Sequence, residues 1–171
     1  AILGCVSLVI LYLLLRKISN KKLDIHLMHS SPLSYIERIK DLKNIKYITI
    51  HLEIEENIQN TLNKIKEYGF KRGISIKPNT DINKLIPYLN DIDLILIMTV
   101  EPGQGGQPFL ENSPTRIKEI KNLIKDKNIL LEVDGGINDK TIKLLKDVDI
   151  AVVGSYITTS DNMIEKVKTL V

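Results

Sequence analysis

Three stretches of this sequence end an apolar run in small residues that expose the backbone. Leu94 to Gln107 (LILIMTVEPGQGGQ) stops abruptly at Pro102 and carries Gly103, Gly105 and Gly106 around Gln104; Ile129 to Gly136 (ILLEVDGG) ends in Asp134, Gly135 and Gly136; Ile150 to Ser155 (IAVVGS) ends in Gly154 and Ser155. Glycine admits positive φ and lets N–H groups approach a ligand with no Cβ in the way, which is how phosphate and similar anions are cradled. Three such strand ends point to one shared phosphate site. Beside them stand side chains able to carry a proton or hold a cation, the carboxyl of Asp134 and the imidazoles of His26 and His51. Taken alone, a strand histidine is more often a satisfied structural residue, and Asp-Gly-Gly is a common turn. The place of Asp134 after an apolar strand and before a helix-start signal favours a site.

Those residues need elements to hold them. Strand-like runs at Leu23–Met28, Tyr47–Glu53, Gly73–Pro78, Leu94–Val100, Ile129–Asp134 and Ile150–Ser155 begin about 21 to 35 residues apart, the beat of βα units. Helical patterns fill the intervals at Pro32–Leu42, Ile54–Tyr68, Asp81–Leu89, Pro114–Ile124, Asp139–Lys146 and Asp161–Leu170. Start signals stand at Ser31, Ser113, Asn138 and Ser160. The two faces of each strand differ: Leu23, Ile25 and Leu27 oppose Asp24, His26 and Met28; Ile48, Ile50 and Leu52 oppose Thr49, His51 and Glu53; Ile129, Leu131 and Val133 oppose Leu130, Glu132 and Asp134. A doubly wound sheet is covered by helices on both faces and favours apolar residues on each. A barrel with helices outside and a mixed interior fits better, and its active site lies at the C-terminal strand ends, where His26, His51, Asp134 and the glycine loops fall. Glu53, Lys77 and Glu132 are expected to form a polar network inside it, and Met28 and Met98 are by default core filler.

Length and composition agree with one domain over 1–171: 171 residues, 43% of them hydrophobic, suffice for one core. The net charge of +3 comes from lysines spread along the helical stretches, which reads as solvated surface and argues against nucleic acid as a partner. A single cysteine, Cys5, can form no internal disulfide and suits a reducing, cytoplasmic setting. The apolar run Ala1–Leu15 is short for a membrane span, which takes about 20 residues, and lacks the charged start of an export signal. A buried apolar helix over 1–20 is the expectation, with a membrane anchor the minor alternative.

LDIHLM (Leu23–Met28), ITIHLE (Ile48–Glu53), ILIMTVEPGQGGQPF (Ile95–Phe109), LEVDGGI (Leu131–Ile137) and VVGS (Val152–Ser155) resemble, in order, the motifs of the ribulose-phosphate 3-epimerases. The resemblance runs from about Leu11 to the C-terminus and implies a (βα)8 TIM barrel of which six βα units, strands 3 to 8, lie within 22–171. It implies interconversion of D-ribulose 5-phosphate and D-xylulose 5-phosphate with a divalent metal (zinc, iron or manganese). His26 and Asp134 would be metal ligands and Asp134 also a proton-transfer group. Gly103, Gln104, Gly105, Gly106, Gly135, Gly136, Gly154 and Ser155 would meet the substrate, as would His26, with Met28 and Met98 packing beside the enediolate. Inversion at C3 needs two acid/base groups flanking the substrate, and a metal across the C2 and C3 oxygens would stabilise the enediolate.

The family's first strand, with a substrate-contacting serine, and its second, with a His-x-Asp motif that supplies two metal ligands and the other acid/base, find no counterpart, and Gln104 stands where the family commonly has phenylalanine. The resemblance therefore implies an inactive piece of a larger, homo-oligomeric enzyme. Two alternatives stay open: a non-catalytic phosphosugar-binding barrel, and a hexulose-phosphate 3-epimerase.

Overall fold

The computed structural model describes residues 21–171; the expected helix over 1–20 lies outside them. Six parallel strands form one sheet: β1 (Leu23–Leu27), β2 (Ile45–His51), β3 (Lys71–Ile76), β4 (Leu94–Met98), β5 (Leu130–Asp134) and β6 (Ile150–Val152). Neighbours in the sheet are neighbours in sequence throughout. Parallel neighbours need a crossover, and crossovers are right-handed, so a sheet whose order never reverses receives all of them on one face. A doubly wound sheet reverses at a switch point. This sheet does not, and it is the wall of a half-barrel.

The crossovers carry helices α1 (Leu33–Ile39), α2 (Ile58–Glu67) and α3 (Ser113–Leu123) and two 3₁₀ segments, Ile82–Tyr88 and Thr141–Leu144. After β6 come α4 (Ser155–Thr158) and α5 (Met163–Lys168). Strand periodicity divides the core in two. Ile48, Ile50, Ile74, Ile76, Ile95, Ile97, Leu131 and Val133 pack with Ile36, Leu62, Ile65, Leu85, Ile117 and Ile120 of the outer layer. The opposite, concave face holds a smaller cluster of Tyr47, Leu94, Leu96, Met98 and Val100. Leu62 and Ile65 are fully buried on α2, each worth about 1.5–3 kcal/mol to the fold.

Local chemistry fixes the element ends. Helix α2 starts four residues later than its apolar pattern because the Asn57 side chain accepts from Asn60 N at 2.9 Å and caps it. It ends as the chain turns through Gly69 at φ 82°. The stretch expected to be helical over 81–89 is 3₁₀ instead, since Pro87 lies inside it and has no N–H for an α-helical bond. At the C-terminus Asn162, and not Ser160, caps the last helix by accepting from Glu165 N at 3.1 Å. Before β4 and β6, Asp93 accepts from Arg72 N at 2.9 Å and Asp149 from Leu131 N at 2.8 Å, tying adjacent strands at their N-terminal ends. That end is built for stability, and the opposite end carries the loops.

Candidate active site

The loops that follow β4, β5 and β6 meet in a cleft of about 650 Å³ at the C-terminal end of the sheet. Its lining includes Met28, Met98, Gly103, Gln104, Gly105, Gly106, Asp134, Gly135, Gly136, Gly154 and Ser155. Every site residue expected from the sequence is thus brought together except His26, which lines neither this cleft nor its neighbour. Met98 is buried, whereas Met28 is half exposed and stands at the rim of both hollows.

The walls are held by bonds that no sequence motif announced. Thr99, fully buried just past β4, donates its hydroxyl to the carbonyls of Asp134 and Gly135 at 2.9 and 2.6 Å, and its N–H also reaches the Asp134 carbonyl at 2.9 Å. Asp134 is therefore fixed through its own backbone. A Cβ on Gly135 would lie 2.5 Å from Val100 Cγ2, and one on Gly136 would meet the backbone of Phe109; both residues also have positive φ, 123° and 65°. Only glycine lets the β5 turn nest against the preceding loop. Gly136 is held further by its carbonyl, which accepts from Thr141 Oγ1 at 3.0 Å and Asn138 Nδ2 at 3.3 Å. In the glycine loop, Gln107 Nε2 donates to the carbonyls of Glu101 and Gln104 at 2.6 and 2.7 Å. Ser155 Oγ faces Gly105 and Gly106, closing the loop of β4 onto the start of α4.

Burial raises the Asp134 carboxyl above its ordinary range, moving it toward the values useful for proton exchange at neutral pH. Two residues earlier on the same face, Glu132 is pushed up to about 8, by burial first and then by Asp24 and Asp134. Across the concave face His26 Nε2 lies 2.8 Å from His51 Nε2, with the rings 4.7 Å apart. Burial, and then His51, lowers His26 to about 4. His51 Nδ1 stands 3.4 Å from Glu53 Oε2, and Glu53 Oε1 accepts from Lys77 N at 3.1 Å and from Thr80 Oγ1. Burial opposes ionisation of Glu53, but these hydrogen bonds hold it at about 2. Of the expected network of Glu53, Lys77 and Glu132, only Glu53 and the backbone N–H of Lys77 meet, joined by His51, while Glu132 stands apart near Asp24 and Asp134. A second hollow of about 270 Å³, lined by His29, Ser30, His51, Glu53 and Lys77, shares Met28, Pro102 and Gly103 with the main cleft.

The pattern of the ribulose-phosphate 3 epimerase family matches residues 7–158. The chain belongs to the ribulose-phosphate 3-epimerase family. It is 34% identical over 147 residues to the ribulose-phosphate 3-epimerase of Bacillus subtilis (strain 168), covering 83% of this chain and 67% of that protein. To the Helicobacter pylori (strain J99) ribulose-phosphate 3-epimerase it is 40% identical over 148 residues, covering 84% and 68%. The chain thus spans about two thirds of these epimerases, which places it among the sugar-phosphate isomerases. Among solved structures it resembles the KGPDC of Streptococcus mutans (TM-score 0.72, 13% identity, 93% of this chain and 75% of that one). It also resembles the Salmonella typhimurium 3-hexulose-6-phosphate synthase (TM-score 0.68, 16% identity, 94% and 76%). At such identities these two speak for the fold alone.

The family's divalent metal fits the described residues poorly. A catalytic metal usually takes three protein ligands, and no group of three His, Cys, Asp or Glu side chains is placed to hold one among the described residues. His26 offers Nδ1 and Asp134 its carboxyl, but no three donors converge among the described residues, so no chemical step here is routed through a metal. No helix among the described residues is long and apolar enough to cross a membrane.

Proposed function

We propose that the cleft binds a ketopentose phosphate, D-ribulose 5-phosphate or D-xylulose 5-phosphate, with the phosphate among the loops at 103–106, 135–136 and 154–155 and C3 beside Asp134. The observation that carries this reading is the convergence of three glycine turns and one buried carboxyl in a single cleft. In this arrangement Asp134 takes the C3 proton from one face, and the half-buried thioether and apolar surface of Met28 and Met98 limit water beside the carbanion. Inversion needs a second proton carrier on the other face. Glu101 is the other carboxyl of the lining; it is exposed and 3.4 Å from Asn79 Nδ2. The described residues thus support binding and proton exchange from one face more directly than full epimerisation. That same shortage favours, as the second reading, a phosphosugar-binding barrel without turnover.

The test is a titration of the full chain with ribulose 5-phosphate and with inorganic phosphate, following the amide signals of Gly103, Gly105, Gly106, Gly136 and Ser155, together with C3 proton exchange in deuterated water. Binding with exchange that D134N abolishes supports the enzyme reading; binding with no exchange in the parent chain supports the second. If neither ligand moves those amides, the phosphate assignment is wrong.

A further inference from the structure

Three buried side-chain polar atoms without a hydrogen-bond partner among the described residues, His26 Nδ1, Thr49 Oγ1 and Ser75 Oγ, come from adjacent strands β1, β2 and β3. His26 pairs in register with Thr49, and His51, one period further along β2, pairs with Ser75. All four residues therefore share the concave face. An unpaired buried polar atom costs about 1–3 kcal/mol, so a run of them on the working face needs a reason. For His26 the reason lies in what its other nitrogen is made to do.

The hydrogen atoms along this row are fixed from Glu53 inward. Glu53 receives Lys77 N and Thr80 Oγ1 on one oxygen, which suits a carboxylate, an acceptor only. The nitrogen facing its other oxygen, His51 Nδ1, must then carry a hydrogen. In neutral imidazole this leaves His51 Nε2 bare, an acceptor. Two Nε2 atoms 2.8 Å apart have room for one hydrogen between them, which His26 Nε2 therefore donates. We propose that Glu53 and His51 are positioning residues that hold His26 as its Nε2–H tautomer, which leaves Nδ1 a bare acceptor on the concave side of the sheet. A carboxylate that orients one histidine through another is the logic by which second-layer groups fix ligating imidazoles. The inference rests on the functional reading above only in taking the concave face as the working face.

The test is a long-range 1H–15N correlation spectrum of the 15N-labelled full chain at neutral pH, which reads the protonation of each imidazole nitrogen without any substrate. His26 Nδ1 is expected at the downfield position of a bare nitrogen and Nε2 at the upfield position of an N–H. In H51F, which removes the acceptor, that separation is lost and the two signals move toward averaged positions. In H51Q, whose amide oxygen can accept the same hydrogen, the separation returns. A hydrogen on His26 Nδ1 in the parent chain overturns the proposal, and so does an unchanged His26 spectrum in H51F. Should both variants fail to fold, the parent spectrum alone decides. Failure of the sugar-phosphate reading has a different mark: the cleft amides stay silent to ligand while the His26 signals keep their pattern.

Discussion

Replacing Gly136 with alanine tests the nesting of the β5 turn against the loop of β4. At φ 65° an L-residue is strained, which costs about 1–2 kcal/mol. The added methyl would also strike the Phe109 backbone, which cannot swing aside as a side-chain tip can, and overpacking of this kind adds about 1–3 kcal/mol. Together these give roughly 2–5 kcal/mol, a large share of the ~5–15 kcal/mol by which domains are stable. For a chain of this size each kcal/mol moves Tm by about 2–4 °C, so G136A should melt about 4–20 °C below the parent. Gly69 supplies the control. It has φ 82°, but a Cβ there meets nothing within 4 Å, so G69A carries only the backbone term, about 1–2 kcal/mol. Thermal melts followed by circular dichroism on all three proteins isolate the packing term by difference. G136A melting at or above G69A would refute the close approach of Gly136 to Phe109, and with it the shape given to this wall of the cleft.

Three further outcomes are expected. Glu132, raised from 4.5 to about 8, holds a proton in the folded chain that the unfolded chain releases, so its effect is to lower stability as pH rises across that window. A displacement of that size is worth roughly 3–5 kcal/mol at most, and E132Q should gain urea resistance over the parent at about pH 9 but not at about pH 5; an equal difference at both would show that this carboxyl does not titrate there. Q107A removes two hydrogen bonds that shape the glycine loop, each worth about 0.5–1.5 kcal/mol; calorimetry should find ribulose 5-phosphate bound about 5–150-fold more weakly, and an unaltered affinity would mean the loop does not hold phosphate. Elemental analysis of the dialysed protein should find well under one zinc, iron or manganese per chain, with Tm insensitive to EDTA; one tightly held ion per chain would show that the donors beyond His26 and Asp134 have been missed.

Much of this arrangement was legible in the residues. Period-2 splits placed Ile48 and Ile50 against the helices, as the larger core cluster shows, and His51 on the other face, the one that carries Tyr47. Small residues at the strand ends marked the loops that line the cleft. What escaped was set by contacts between distant segments. The faces of β1 and β2 put His26 and His51 on one side, but only the register, His26 against Thr49, decides that the two imidazoles touch. Thr99 looks like any β-branched strand residue until the Asp134 and Gly135 carbonyls are found beside its hydroxyl. The four-residue α4 is too short to print a period, and Pro87 outweighed an otherwise helical pattern.

The charge balance of the cleft constrains how it can take a phosphate. Glu101 and Asp134 are its ionisable carboxyls, and no lysine or arginine is among the described residues that line it. A phosphate oxygen 4 Å from a carboxylate is repelled by about 1 kcal/mol in water and by several times that where the effective dielectric is lower. The attraction must then come from backbone N–H groups at the glycine turns and from hydroxyls such as Ser155, and any proton on Asp134 relieves the repulsion. Burial of Asp134 thus serves two ends, since it raises the carboxyl toward a useful proton-exchange range and makes the site more tolerant of an anion. Salt separates this mode from one built on lysine. Between about 0.05 and 0.5 M NaCl, screening weakens pairs of full charges far more than short dipolar contacts. Affinity for ribulose 5-phosphate should therefore stay level or rise slightly across that range. A steep fall would mean that a cation reaches the phosphate, and Lys77, in the adjoining hollow, would be the first to replace with methionine.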